Sequence, residues 1–389
     1  MVSAVPRPSR RSSNWNTRLQ QREKFTTCIK NNVREYGGGS TCLKELLANA
    51  DDARASHLTI CLDKSQYPAE HLLNGGVEGL QGPALWVCND AEFSDQDWQN
   101  YTLSVGDSAK ANDSETIGKF GKGALTAYSL TDVIQIFSGN SLLILDPHCT
   151  HLHDHLPSVF GNVVDKADKH FVDVYADSPD QLDPFQSFTH NCESVPSLKT
   201  DMHYPGTLFR LALRTEAAAQ RSEISKESLS PDQIAQALNE FAQAAPDLLL
   251  FTRHVKGISV WIKESRHSEC TLMHECSASM SDMPSSMPGC QLHKATISIQ
   301  NDKGGKINRI WLKTTNSVNG HSGDVAILMH DDARLSGQHF PKVAGKVYST
   351  MALPLAPTSL PVHINGDFGM SSDRRTLWAG EGDRGQVCF

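Results

Sequence analysis

The sequence predicts an α+β protein in two halves that divide near residue 216. Three observations carry this expectation. The chain has 389 residues, enough for two domains of ordinary size. Helical and strand periodicities alternate along it with no internal repeat. Past the last strand pattern of the first half, Ser230-Pro231-Asp232 begins a new helix, with an N-cap serine and a proline in the first turn.

The elements follow in order. Residues 1–22 read as a disordered basic tail, with Arg7, Arg10, Arg11, Arg18 and Arg22 among Ser and Pro and no acid before Glu23. A mitochondrial transit peptide shares this composition, but a solvated tail is the favoured reading. A helix is expected over 23–37, stopped by Gly37-Gly38-Gly39, and a second over 41–55. Strands are expected at 58–62, 84–88, 133–137, 142–145 and 208–213. Ser138-Gly139-Asn140-Ser141 marks a hairpin. Residues 147–202, acidic and His-rich with weak periodicity, read as an insertion in a first domain spanning 23–215. In the second domain, 216–389, the helix from Ser230 buries Ile234, Leu238 and Phe241. Strands then recur at 258–262, 295–299, 307–312 and 325–329, and the Ser-, Met- and Pro-rich stretch 270–289 reads as a loop.

Composition narrows the function. A net charge of −8 argues against a generic nucleic-acid or membrane binder. No run of 18 apolar residues is present, and no secretory signal is expected at the N-terminus. Ten scattered cysteines with no CxxC pair point to a reducing, cytoplasmic setting, with the nucleus also compatible and the mitochondrion less so.

Two constellations carry chemistry. In Leu43-Lys-Glu-Leu-Leu-Ala-Asn-Ala-Asp-Asp-Ala53, helical spacing gives Leu43, Leu46, Leu47 and Ala50 an apolar stripe. Glu45, Asn49 and Asp52 fall at i, i+4 and i+7 on one face. An amide oxygen there suits Mg²⁺, a hard cation, and a carboxylate suits a general base acting on water. An ordinary amphipathic helix with a polar outer face carries the same pattern. The second constellation, Gly118-Lys-Phe-Gly121-Lys-Gly123, precedes an apolar helical run, Ala124 to Leu130. Glycines at a helix N-terminus free backbone N–H groups to face an anion, and Lys119 and Lys122 add charge. The segment is neither a P-loop nor a good dinucleotide fingerprint, and a glycine-rich turn without ligand is the competing reading.

In order and spacing, these motifs resemble the N box and second glycine box of the GHKL (Bergerat-fold) ATPases, in the version of sacsin and Hsp90-like proteins. Asn89-Asp90-Ala91-Glu92-Phe93 with Asp97-Trp98 resembles the adenine-contact box. Tyr128 to Asp132, Ser138-Gly139, Asp146-Pro147-His148 and Pro205-Gly206-Thr207-Leu-Phe-Arg210 extend the similarity. Near the C-terminus, Leu360 to Gly366 and Ser371 to Trp378 are sacsin-like. The resemblance covers roughly residues 25–380, with a gap over 147–202.

The resemblance implies a two-layer α/β sandwich of the Bergerat type, followed by a smaller α+β domain like the Hsp90 middle domain. It implies ATP and Mg²⁺ as cofactors. Glu45 matches the catalytic base, Asn49 the Mg²⁺ ligand, and Asp52 a further residue of the same box. Asp90 matches the carboxylate on the adenine amino group. Gly118, Gly121 and Gly123 match the phosphate-binding glycines, and Thr207 the hydroxyl supporting the adenine. Arg374, or else Arg375, matches an arginine that reaches the γ-phosphate from the following domain, with a surface salt bridge the equal alternative. The implied activity is slow ATP hydrolysis driving a conformational switch in a chaperone-like or scaffolding role, on an unknown protein client, in a chain that can homodimerise. The alternative is a non-hydrolysing sensor or interaction module. One departure bears on this: the usual adenine box is Asp-x-Gly-x-Gly, and both glycines are missing after Asp90. The lid is expected over 101–116. The cluster His148, His151, His153 and His155, with His190 and Cys192, has no common zinc-ligand spacing and is read as not metal-binding.

Overall fold

The computed structural model describes residues 24–36, 39–98, 123–148, 150–152, 162–165, 178–198, 203–286, 289–301, 304–318, 321–333, 343–349, 351–371 and 376–377. Its helices are α1 (Phe25–Tyr36), α2 (Gly39–Asp52), α3 (Asp183–Asn191), α4 (Glu216–Arg221) and α5 (Pro231–Leu248). The strands of the first half are β1 (His57–Asp63), β2 (Ala84–Asn89), β3 (Ile134–Gly139), β4 (Ser141–Leu145), β5 (Asn162–Asp165) and β6 (Tyr204–Ala212). Those of the second are β7 (Gly257–Lys263), β8 (Thr271–Met283), β9 (Cys290–Asn301), β10 (Lys306–Val318), β11 (His321–Asp331), β12 (Lys346–Ser349), β13 (Met351–Pro357) and β14 (His363–Gly366). No described helix is long and apolar enough to cross a membrane.

Local signals shape most elements as expected. Leu43, Leu46, Leu47 and Ala50 are buried along α2. Its end is a Schellman motif: Ala55 N–H donates to Ala50 O, Arg54 N–H donates to Asp51 O, and Arg54 takes φ 62°. Glycine usually fills that left-handed position. The β3–β4 hairpin turns at Gly139-Asn140, where Gly139 has φ 55°. At the start of α5, Ser230 and Gln233 form a reciprocal capping box with Pro231 behind it.

The whole architecture differs from the expected one. All fourteen strands belong to one sheet, in the order β13-β12-β14-β11-β10-β9-β8-β7-β1-β2-β6-β3-β4-β5. Neighbours are antiparallel except β1 with β7 and β12 with β14. The expected two-layer sandwich with a smaller following domain is therefore overturned. The parallel β1–β7 seam runs from His57↔Gly257 to Asp63↔Lys263 and fuses both halves into one strand-dominated sheet. Strand periodicity reports which residues are buried and is silent on which strand lies alongside, so the seam was invisible in the sequence.

The sheet is also covered on both faces where the halves meet. Leu58, Ile60 and Leu62 of β1, Leu85 and Val87 of β2, and Phe209 and Leu211 of β6 pack with α1, α2 and α5 in one core. The alternating residues Cys61, Trp86, Cys88 and Leu208 pack on the other face with Phe185 and Phe188 of α3. Trp86 stacks on Phe188 at 4.4 Å and meets Phe185 edge-on at 5.2 Å. Part of the stretch 147–202 thus forms the lid of a second core. The loop expected over 270–289 is largely strand β8, which pairs with β9 from His274↔Asn301 to Met283↔Leu292. Pairing on both sides overrides its weak strand propensity.

Candidate functional site

α2 carries Glu45, Asn49 and Asp52 on one face, as its spacing requires. Glu45 is only 4% exposed, whereas Asn49 and Asp52 are half-buried. Gly123 opens the 3-10 turn Ala124–Ser129 directly against Glu45. A Cβ at Gly123 would meet Glu45 Oε2, so a larger residue there would oblige that carboxylate to shift. Thr126 Oγ1 donates to Gly123 O at 2.6 Å and closes the turn. Burial pushes the Cys42 thiol up to about 12, a hydrogen bond with Thr126 opposes this, and the nearby Glu45 charge adds to it. The N-box helix and the last glycine of the second box are therefore brought together. Gly118, Gly121, Arg374 and Arg375 lie outside the described residues.

Asp90 directly follows β2, and its carboxylate is engaged. Oδ1 accepts Ser56 N–H at 2.7 Å and His57 N–H at 3.1 Å, and Oδ2 accepts the Ser56 hydroxyl. Burial alone would raise this carboxyl, but the hydrogen bonds outweigh it and hold Asp90 below the usual carboxylate range. Thr207 is fully buried. Its hydroxyl donates to Ala91 O at 2.7 Å and lies 3.0 Å from Ser138 Oγ, which donates to Gly206 O and accepts Phe93 N–H. Thr207 thus holds the backbone beyond Asp90, and Ser138, a motif residue with no assigned role, shares that task. Gly206 has no room for a Cβ beside Asn89 O.

Three residues that sequence reasoning left without a role organise the site. Asp51, 1% exposed, accepts the N–H groups of Arg253 at 3.0 Å and of His254 and Val255 at 2.8 Å. It ties the end of α2 to the loop entering β7. Arg214 binds Asp132 through Nε at 2.9 Å and donates to Tyr128 O at 2.7 Å and Thr131 O at 2.9 Å. It clamps the end of the turn that Gly123 begins. Lys346 of β12 pairs with Asp247 at 3.1 Å. Burial, and next the neighbouring Lys346 charge, lower the pKa of Lys44 on α2. No sequence signal marked these residues, because the groups that Arg214 and Asp51 bind lie about 80 and 200 positions away. Arg210, by contrast, serves the second core: it donates to Leu80 O and Gly82 O and lies 5.6 Å above the Trp86 ring.

By residue type, Glu45 offers a carboxylate base and Asn49 an amide oxygen, a pair suited to Mg²⁺-bound phosphate, with the Glu45 carboxylate lying against Gly123. No described group of three or more His, Cys, Asp or Glu side chains could hold a metal ion by itself. His148 lies 3.9 Å from Asp132, and His151 Nδ1 is 2.8 Å from Gly76 O, while His153 and His155 lie outside the described residues.

Comparison with known proteins gives the sacsin part of the resemblance. Human Sacsin is 34% identical over 245 residues, which make up 61% of this chain and 5% of that protein. The chain thus spans a small fraction of that relative's length. The Sacsin domain matches residues 22–275, from just before α1 into the first residues of β8. That match covers well over half of the sequence, and the chain belongs to the Sacsin domain family.

Proposed function

We propose that the chain binds ATP with Mg²⁺ and hydrolyses it slowly, using the cycle to switch conformation in a chaperone-like or scaffolding role. The observation that carries this reading is the meeting of Glu45 with Gly123, one turn from Asn49. Asn49 would hold Mg²⁺ through its side-chain oxygen. With the nucleotide bound, the ion supplies neutralisation of phosphate charge. Glu45, shielded by burial, takes the proton of the attacking water. Asp90 and Thr207 build the base end, and Gly118, Gly121 and Arg374 are assigned to phosphate by family resemblance. A protein client and a homodimer belong to the same proposal, as does a cytoplasmic setting.

A second reading is a nucleotide sensor or interaction module without turnover. Asp90 favours it: its carboxylate is engaged by Ser56 and His57, which leaves fewer lone pairs for an adenine amino group. Calorimetric titration with ATP and Mg²⁺, followed by phosphate release, separates the two. Hydrolysis predicts binding by the native chain, loss of binding in Asn49→Ala, and binding without turnover in Glu45→Ala. Binding by the native chain with no phosphate release selects the sensor. No binding at millimolar ATP rejects both.

A further inference from the structure

Four cysteines converge on the second face of the sheet, away from the proposed nucleotide residues. Cys61 of β1 and Cys88 of β2 are buried, Cys192 follows α3 directly, and Cys270, half-exposed, directly precedes β8. The Cys270 N–H donates to Asn191 O at 2.8 Å, so the chain before β8 runs alongside the end of α3. Cys270 Sγ is 4.0 Å from Cys61 Sγ, and its backbone bond to Asn191 sets Cys270 beside the next residue, Cys192. We propose that Cys270 is an oxidation site whose thiol closes a disulfide with Cys192, stapling the α3 segment to the sheet when a peroxide is present.

Ordinary core packing of small thiols is the competing account, and a zinc-like centre is disfavoured because no described group has metal-holding geometry. Two observations favour a disulfide. Cys270 alone of the four is accessible, so an oxidant has one entry point. Its backbone is bonded beside Cys192, which suits the short Cα separation that a disulfide demands. Cys61 is a poorer partner despite its close sulfur. Strand β7 separates β1 from β8, and two strand spacings amount to about 9–10 Å.

The chemistry balances with hydrogen peroxide as oxidant. The Cys270 thiolate attacks one peroxide oxygen, the O–O bond breaks, and a sulfenic acid forms with release of hydroxide, which takes the thiol proton as water. The Cys192 thiolate then attacks the Cys270 sulfur, the S–O bond breaks, and a second water leaves. Two thiols and one peroxide give one disulfide and two waters. A thiol reductant reverses the staple. The Cys192 hydrogen bond lowers the Cys270 thiol, while the contact with Cys61 and burial raise it further, so its net shift is upward. The hydrogen bond to Cys270, then burial, raise Cys192. Both thiols are therefore protonated near neutrality, and the rate should climb about tenfold per pH unit from 7 to 9 without levelling off.

The test treats the full chain with hydrogen peroxide, alkylates remaining thiols and maps cross-linked peptides by non-reducing mass spectrometry. The expected product is a Cys192–Cys270 peptide that dithiothreitol removes. It should be absent in Cys270→Ser and Cys192→Ser and kept in Cys28→Ser. The oxidised chain should melt higher than the reduced one. A Cys61–Cys270 product, over-oxidised Cys270 without any cross-link, or an unmodified Cys270 after Cys28 and Cys290 have reacted would each overturn the proposal. The native chain alone decides these outcomes, so a variant that folds poorly does not obscure them.

Discussion

At the scale of single residues, buried charge is spent on tying distant backbone together. Asp51 holds three N–H groups some 200 positions away. Asp51→Ala would leave those donors buried without an acceptor and should cost at least about 3 kcal/mol in denaturant unfolding. An unchanged midpoint would refute that role. Arg54 stands where a Schellman motif prefers glycine, with φ 62°. Arg54→Gly should stabilise the chain by about 1 kcal/mol by removing the left-handed penalty. Asp247 is the pH-sensitive member of this group. Burial raises its carboxyl, but the His363 ring 3.6 Å away and the hydrogen-bonded Lys346 ammonium outweigh this and depress it. A depressed carboxyl contributes stability above its unfolded pKa and loses it as pH falls through the folded value. Stability should therefore begin to drop below about pH 4.5, and Asp247→Asn should flatten that slope in acid-unfolding curves.

Elements differ in how much of them is local. α2 and the start of α5 are written in nearest-neighbour terms: apolar residues recur at helical spacing, and Ser230, Pro231 and Gln233 build a complete cap. Ser230→Ala should cost about 1 kcal/mol by thermal melting. β8 is the opposite case. Its Ser- and Met-rich sequence has little intrinsic strand preference, and it is a strand because β7 and β9 flank it and satisfy its backbone. α3 was hidden for another reason. It is nine residues long with weak periodicity, yet Phe185 and Phe188 are fully buried against Trp86. Phe188→Ala should cost about 3–5 kcal/mol, while an exposed position of the same helix should be nearly silent.

On the scale of the whole molecule, the β1–β7 seam makes the two halves one cooperative structure. Seven paired residues, Asp51 and the Ser56 carbonyl accepting Lys256 and Gly257 all cross it. Calorimetry should give one unfolding transition, and two well-separated transitions would show halves that fold apart. A fragment ending near residue 221 would expose β1 as an edge and strip α5 from the first core, and should fail to fold. The same continuity supplies a route between the proposed nucleotide residues and the second half, because Asp51 lies between Asn49 and Asp52 on α2 and grips the entry to β7.

The sequence by itself determined what depends on neighbours along the chain. Helical spacing put Glu45, Asn49 and Asp52 on one face, glycines marked the turn at Gly123, and strand alternation located most of the sheet. The ordered motifs also carried the family. Only the tertiary structure decided which strands adjoin, that both faces of the sheet are covered, and that Asp51, Arg214 and the cysteine cluster have partners at all. The physical reason is that periodicity and propensity describe a residue's exposure within a few positions of itself. Strand partnership and the satisfaction of buried polar groups are set by contacts tens to hundreds of residues away, whose free energy appears only when the chain has closed on itself.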